Sequence, residues 1–226
     1  MNLLRPVLLL LAALLACAPA WAQVITFRAA TTAAVAASPA APAFQAAGTA
    51  VTGTGAVSPT WPVHVAGDVA LLFVESTGGQ AATLSTAAGF VAVANSPQAT
   101  GATTAGTRIT VFWARATSAA MGAPTVADPG DHVYARLITY RGVIAAGDPW
   151  DVTAGGVKTP ASTAVSVTGV TTNVPNTRVV QAVARDNDSA AAAFSAQASG
   201  TLTGITERSD AGTTSNNGGG FAVWDG

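Results

Sequence analysis

From Val69 to Glu75 the chain reads Val-Ala-Leu-Leu-Phe-Val-Glu, with Gly67-Asp68 in front and Gly78-Gly79 behind. A run this short and this apolar, bounded by turn formers, reads as a strand buried on both faces rather than as a helix. Such a strand needs protein above and below its sheet. The rest of the chain must therefore supply both the sheet partners and the covering layers.

Further runs have the same character. Phe44 to Val57 is rich in Thr, Gly and Ala with Val51 and Val57, and Pro59, Trp61 and Pro62 close it. Phe90 to Ala94 follows Gly89, and Asn95 to Gly106 reads as a loop. Arg108 to Ala116 is dense in β-branched and aromatic residues. After the Asp128-Pro129-Gly130 turn, His132 to Arg141 alternates: Val133, Ala135, Leu137 and Thr139 on one face, His132, Tyr134, Arg136, Ile138 and Tyr140 on the other. Ala161 to Val170, Arg178 to Ala184, Leu202 to Ser209 and Gly220 to Trp224 complete the series. No segment carries the 3.6-residue periodicity and caps of an amphipathic helix, and no fixed repeat suggests a solenoid. The pattern predicts an all-β, jelly-roll-like β-sandwich in a single domain over residues 23–226. Leu71, Phe73, Val111 and Trp113 are expected to be buried in adjacent central strands.

The N-terminus reads as an export signal. Arg5 supplies the positive charge, an apolar run extends from Val7 to Ala16, and Ala20-Trp21-Ala22 forms an A-x-A cleavage site. Residues 1–22 are thus expected to be a cleaved signal peptide, with cleavage between Ala22 and Gln23. The apolar run is too short to span a bilayer core. A strand is expected from Val24 to Ala29, ahead of an irregular stretch rich in Ala, Thr and Pro. Leu14-Leu15-Ala16-Cys17 offers a weaker second reading, a lipobox ending on a lipid-modified cysteine and hence an outer-membrane lipoprotein. Cys17 is the sole cysteine, so cleavage after Ala22 leaves neither a disulfide nor a thiolate.

Charge narrows the function classes. The chain has 10 Lys and Arg against 11 Asp and Glu, and the basic residues are dispersed. Nucleic-acid binding, which needs clustered cations to displace counterions, is not indicated. No stretch beyond the signal is long and apolar enough for a membrane-spanning helix. There are 2 His, and the only glutamates are Glu75 and Glu207. No Gly-x-Ser-x-Gly elbow is present. His64 and His132 each read as a loop or strand-end residue, and no carboxylate pair suited to glycoside hydrolysis stands out.

Six segments together resemble a known family: Val51-Thr-Gly-Thr-Gly-Ala-Val-Ser-Pro59, Ala66-Gly-Asp-Val-Ala-Leu-Leu-Phe-Val74, Arg108-Ile-Thr-Val-Phe-Trp113, Pro124-Thr-Val-Ala-Asp-Pro-Gly-Asp-His132, Tyr140-Arg-Gly-Val143 and Asn216-Asn-Gly-Gly-Gly-Phe221. The set is similar to a β-sandwich domain of bacterial secreted and surface proteins, some linked to agglutinin or pilus biogenesis, with related modules in phage tail proteins. The resemblance implies a sandwich across residues 24–226 and brings no catalytic motif. It also implies further strands after the Gly-Gly-Gly-Phe segment. Here only Asp225 and Gly226 follow Trp224, which also offers the weaker reading of an open C-terminal edge strand inviting self-association or strand donation. Pairing of that strand with an earlier neighbour is the favoured expectation.

Two constellations remain as candidate binding sites. Asp128 and Asp131 flank a Pro-Gly turn, and Asp186-Asn187-Asp188 is a short acidic loop; such oxygen donors suit Ca²⁺. The simpler reading is that these Asp side chains cap their own turns. Trp150 stands between Asp148 and Asp151 in Gly147-Asp-Pro-Trp-Asp151, either as a sugar-stacking platform or as a side chain closing the sandwich end. Asn187-Asp-Ser189 matches a glycosylation sequon, which is read as chance. The leading expectation is an exported, non-enzymatic β-sandwich module at the cell surface, in adhesion or assembly, whose partner is a surface glycan or another exported protein. A carbohydrate-binding module is the alternative, and a degenerate jelly-roll glycan-active enzyme is the weakest reading. No cofactor is required, Ca²⁺ being the only candidate.

Overall fold

The computed structural model describes residues 40–158, 162–166 and 169–226. Residues 40–226 form one unit. The signal segment, its Ala22–Gln23 cleavage site, Cys17 and the strand expected from Val24 lie outside the described residues.

Twelve strands follow in order: β1 Ala43–Ala47, β2 Val51–Gly53, β3 Val69–Thr77, β4 Leu84–Thr86, β5 Val91–Ala92, β6 Gln98–Ala99, β7 Thr107–Arg115, β8 Thr125–Val126, β9 Val133–Arg141, β10 Val180–Arg185, β11 Thr206–Thr213 and β12 Gly219–Asp225. No helix occurs among the described residues. All strand pairs among the described residues are antiparallel.

The principal sheet has the order β1-β9-β3-β7-β5, with β2 also on β9 and β6 also on β7. β3 lies at its centre, where its apolar run demands to be. Ala70, Leu72 and Val74 face one core with Phe112, Ala114, Val133, Ala135 and Leu137, closed over by Phe90 and by Val126 of the small β4-β8 sheet. Phe73 faces the opposite core with Tyr134, Ile138 and Tyr140, against Phe221 and Val223 of the second sheet, β10-β12-β11. The alternation expected in β9 is the alternation found. The antiparallel sheets stack face to face, as expected of a sandwich, with the principal sheet covered on both sides.

One of two open readings is decided, and two expectations are corrected. First, β12 pairs with earlier neighbours and is the middle strand of its sheet, which sets aside the weaker open-edge reading: Phe221 pairs with Ala184 of β10 on one side and Ala211 of β11 on the other. Every residue from Gly219 to Asp225 is buried. The row of apolar side chains that suggested donation to another chain is instead the inner layer of this sandwich. Second, the described parts of 161–170 form no strand, and Val165 and Val170 are exposed. Third, burial in β3 and β7 is uneven. Phe73 is buried, whereas Leu71, Val111 and Trp113 are only half-buried. They sit toward the β5 side of the sheet, where β5 is two residues long and Val91, opposite Trp113, is exposed.

Candidate functional site

Glu75 interrupts the apolar run of β3, and a carboxylate carried into a strand covered on both faces must find partners there. Glu75 and His132 are both fully buried, and Glu75 Oε2 lies 3.0 Å from His132 Nε2. Oε1 accepts the Thr107 hydroxyl at 2.9 Å from the neighbouring strand β7. A Cβ at Gly219 of β12 would strike this carboxylate, so a larger residue there would have to displace the Glu75 side chain. Burial pushes the Glu75 carboxyl above its ordinary range, and the nearby Asp186 charge adds to this, while His132 and Thr107 pull the other way.

His132 is placed by the turn before β9. Gly130, at φ +122°, closes that turn with its N–H on Asp128 Oδ1 at 2.8 Å. The imidazole then points inward, with Nδ1 3.3 Å from Asp131 Oδ1. Burial alone would lower its pKa, but the carboxylates of Glu75 and Asp131 outweigh burial and raise it. Asp131 reaches onward to the β11–β12 turn: its Oδ1 accepts the Asn217 amide at 3.0 Å and its Oδ2 the Asn217 side-chain amide at 3.2 Å. Its backbone oxygen accepts Asn216 Nδ2 at 2.7 Å.

Of the expected cation ligands, Asp131, Asp186 and Asp188 do gather near this turn, but each is engaged with the protein. Asp186 Oδ2 accepts the Gly106 N–H at 3.0 Å, and Asp188 lies against Gly218. Asp128 caps its own turn. Among the described residues no group of three or more His, Cys, Asp or Glu is arranged to hold a metal ion. Backbone amides, the Asn217 side chain and an imidazole thus share the oxygens of Asp128, Asp131 and Asp186.

The second candidate lies on the stretch between β9 and β10. Trp150 is half-buried and meets Trp113 of β7 edge to face, ring centroids 5.7 Å apart at 84°. Arg115 lies 5.8 Å from the Trp113 ring centre and donates from Nη2 to the Gly147 carbonyl at 3.3 Å. Asp148 and Asp151 are exposed beside it. Asp151 Oδ2 accepts the Asn173 amide at 2.5 Å, tying the two ends of this stretch together. Trp150 thus packs on the sandwich through Trp113 and is partly exposed beside two carboxylates.

His64 serves structure. Its Nδ1 lies 2.6 Å from the Pro62 carbonyl, its Nε2 accepts the Met121 amide at 3.4 Å, and its ring packs on Trp61. The Glu75–His132 pair is what reading the sequence for sites missed. The available signal was a glutamate inside a run that otherwise had to be buried. Comparison of the chain with protein-family models, curated proteins and solved structures finds no match.

Proposed function

We propose that the chain is an exported, non-enzymatic module with a jelly-roll-like sandwich that acts by binding at the cell surface, in adhesion or assembly. One observation carries this reading. Glu75, His132 and Asp225 are turned inward, while the stretch between β9 and β10 turns branched apolar side chains outward. Glu75 and His132 are sealed from solvent, and Asp225 is buried between Arg178 and Arg208. Ile144, Val157, Val165, Val170 and Val174 are all exposed. Exposed apolar groups concentrated in one segment support an interaction surface. The same fold resemblance drawn from the sequence points to surface modules of bacteria.

The test uses the full chain in its host cell. Mass spectrometry of the exported protein should find Gln23 at the N-terminus; a lipid on Cys17 overturns soluble export. Changing Ile144, Val157 and Val174 together to Ser should leave the far-ultraviolet circular dichroism unchanged and abolish cell–cell agglutination or surface retention. Unchanged retention overturns the reading.

A second reading, glycan binding, is favoured by the Trp150 platform with Asp148 and Asp151. Carboxylates flanking a partly exposed indole suit a pyranose ring, whose C–H face stacks while its hydroxyls donate. A glycan array separates this from protein-directed assembly.

A further inference from the structure

The imidazole of His132 has a carboxylate oxygen at each nitrogen: Glu75 at 3.0 Å and Asp131 at 3.3 Å. Ionised carboxylates only accept, so both contacts are hydrogen bonds only if both ring nitrogens carry protons. A neutral imidazole supplies one. The closed arrangement therefore holds one proton more than a neutral histidine between two carboxylates. Asp131 is at the same time the residue that grips the β11–β12 turn, through both the backbone and side chain of Asn217.

We propose that Glu75, His132 and Asp131 form a proton-held latch on the β11–β12 turn, closed while His132 carries both ring protons and loosened when one passes to solvent. The charges around it make the loss consequential. Asp186 acts on Glu75 from the segment after β10, and Asp188 stands beside Gly218. Arg108 on β7 is turned away to the Gly78 carbonyl, and Arg185 to the carbonyls of Asn187, Ser189 and Ala191. Tyr134 of β9, opposite Glu75, is held neutral by burial. Asp128 is held by its own turn, and β12 presents only Gly219 at this point. Deprotonated, the site contains carboxylates facing a neutral ring, with no cation positioned to replace the imidazolium.

The sign follows from the upward direction of the His132 pKa. Stability of the closed latch is fully present below the ordinary histidine pKa and is lost as pH rises through the higher folded value. Glu75, also raised, works in the same direction.

The experiment is nuclear magnetic resonance on the full mature chain between about pH 6 and about pH 9, the window in which histidine charge changes. The ring signals of His132 and the exchange protection of the Asn217 amide are read together, protection being corrected for intrinsic exchange. Protection should fall about tenfold as His132 titrates, a local rather than global opening. Glu75→Gln should move both midpoints to lower pH together. Asn217→Ala, which keeps only the backbone N–H on Asp131, should weaken the pH dependence of the turn while His132 still titrates, and His64→Asn should leave both midpoints in place. If Glu75→Gln fails to fold, the wild-type and Asn217→Ala measurements suffice. Turn protection that is independent of pH across the His132 titration overturns the latch. So does a His132 ring carrying a single proton throughout.

Discussion

Asp68 and Arg141 meet in a two-point ion pair, Nε to Oδ1 and Nη2 to Oδ2, each at 2.8 Å. The pair fastens the last residue of β9 to the turn that launches β3, and Asp68 Oδ2 also caps the Val65 amide at 2.9 Å. Asp68 is almost fully buried while the Arg141 side chain is 47% exposed. The carboxylate is thus the member of the pair that depends on the contact.

The Arg141 guanidinium holds the Asp68 carboxyl below its ordinary range, with the Val65 amide assisting and burial opposing. A lowered folded pKa contributes stability that is present above the unfolded carboxylate pKa and lost as pH falls through the folded value. Asp68→Asn is expected to cost about 1–3 kcal/mol near neutral pH, the range for a hydrogen bond to a charged group. It should also flatten the acid limb of the stability curve. Urea unfolding at a series of pH values measures both. An unchanged acid limb would show that Asp68 is not the titrating group.

Two leucines adjacent in sequence separate the covered from the half-covered face of β3. Leu72 is fully buried between strands and Leu71 only partly. Leu72→Ala is expected to cost ~2–5 kcal/mol, since a close-packed site cannot collapse over the lost methyl groups. Leu71→Ala should cost about 1–2 kcal/mol, nearer its reduced burial alone. Equal losses in chemical denaturation would contradict the uneven covering of the sheet.

Because β12 is flanked by β10 and β11, its inner side chains belong to the core. Phe221 packs on Tyr134 with ring centroids 4.8 Å apart and on Phe73 at 5.9 Å. Phe221→Ala is expected to cost about 3–5 kcal/mol. A Thr/Ala-rich hairpin appended after Gly226 should leave the melting temperature within about 2 °C, as it has no free edge of β12 to complete. A large rise in melting temperature would place β12 at an edge after all.

The Trp113–Trp150 contact predicts a separation of stability from binding. An edge-to-face pair contributes about 0.5–1.5 kcal/mol beyond area burial, so Trp150→Ala should fold with a loss of that size added to the indole's own partial burial. Under the glycan reading it should also lose array binding, as should Asp148→Ala combined with Asp151→Ala. Retained binding in both variants removes Trp150 from any glycan site.

The strands that matter most were legible as runs of residues. β3, β7 and β9 follow from apolar and alternating stretches whose turns are marked by Gly67-Asp68, Gly106 and Gly130. The period of two and the punctuating residues are local properties, so they survive without knowledge of partners. The weaker stretches did not follow. Phe90 to Ala94 yields only the two residues of β5, and the Thr/Val alternation around Val165 yields no strand among its described residues. Such segments become strands only where a neighbouring edge accepts their hydrogen bonds, and that is a long-range condition.

The amino-acid sequence by itself determined the all-β class, the turns and the inward and outward alternation of β9, because each depends on chemistry within a few residues. Only the tertiary structure decided that β12 lies between two neighbours, that β3 is covered differently at Leu71 and Leu72, and that Glu75 meets His132 across 57 positions of sequence. A buried carboxylate must have a partner, but the sequence does not say which one. The choice falls to the strand register, which brings the end of β3 beside the start of β9 and sets Gly219 against the Glu75 carboxylate.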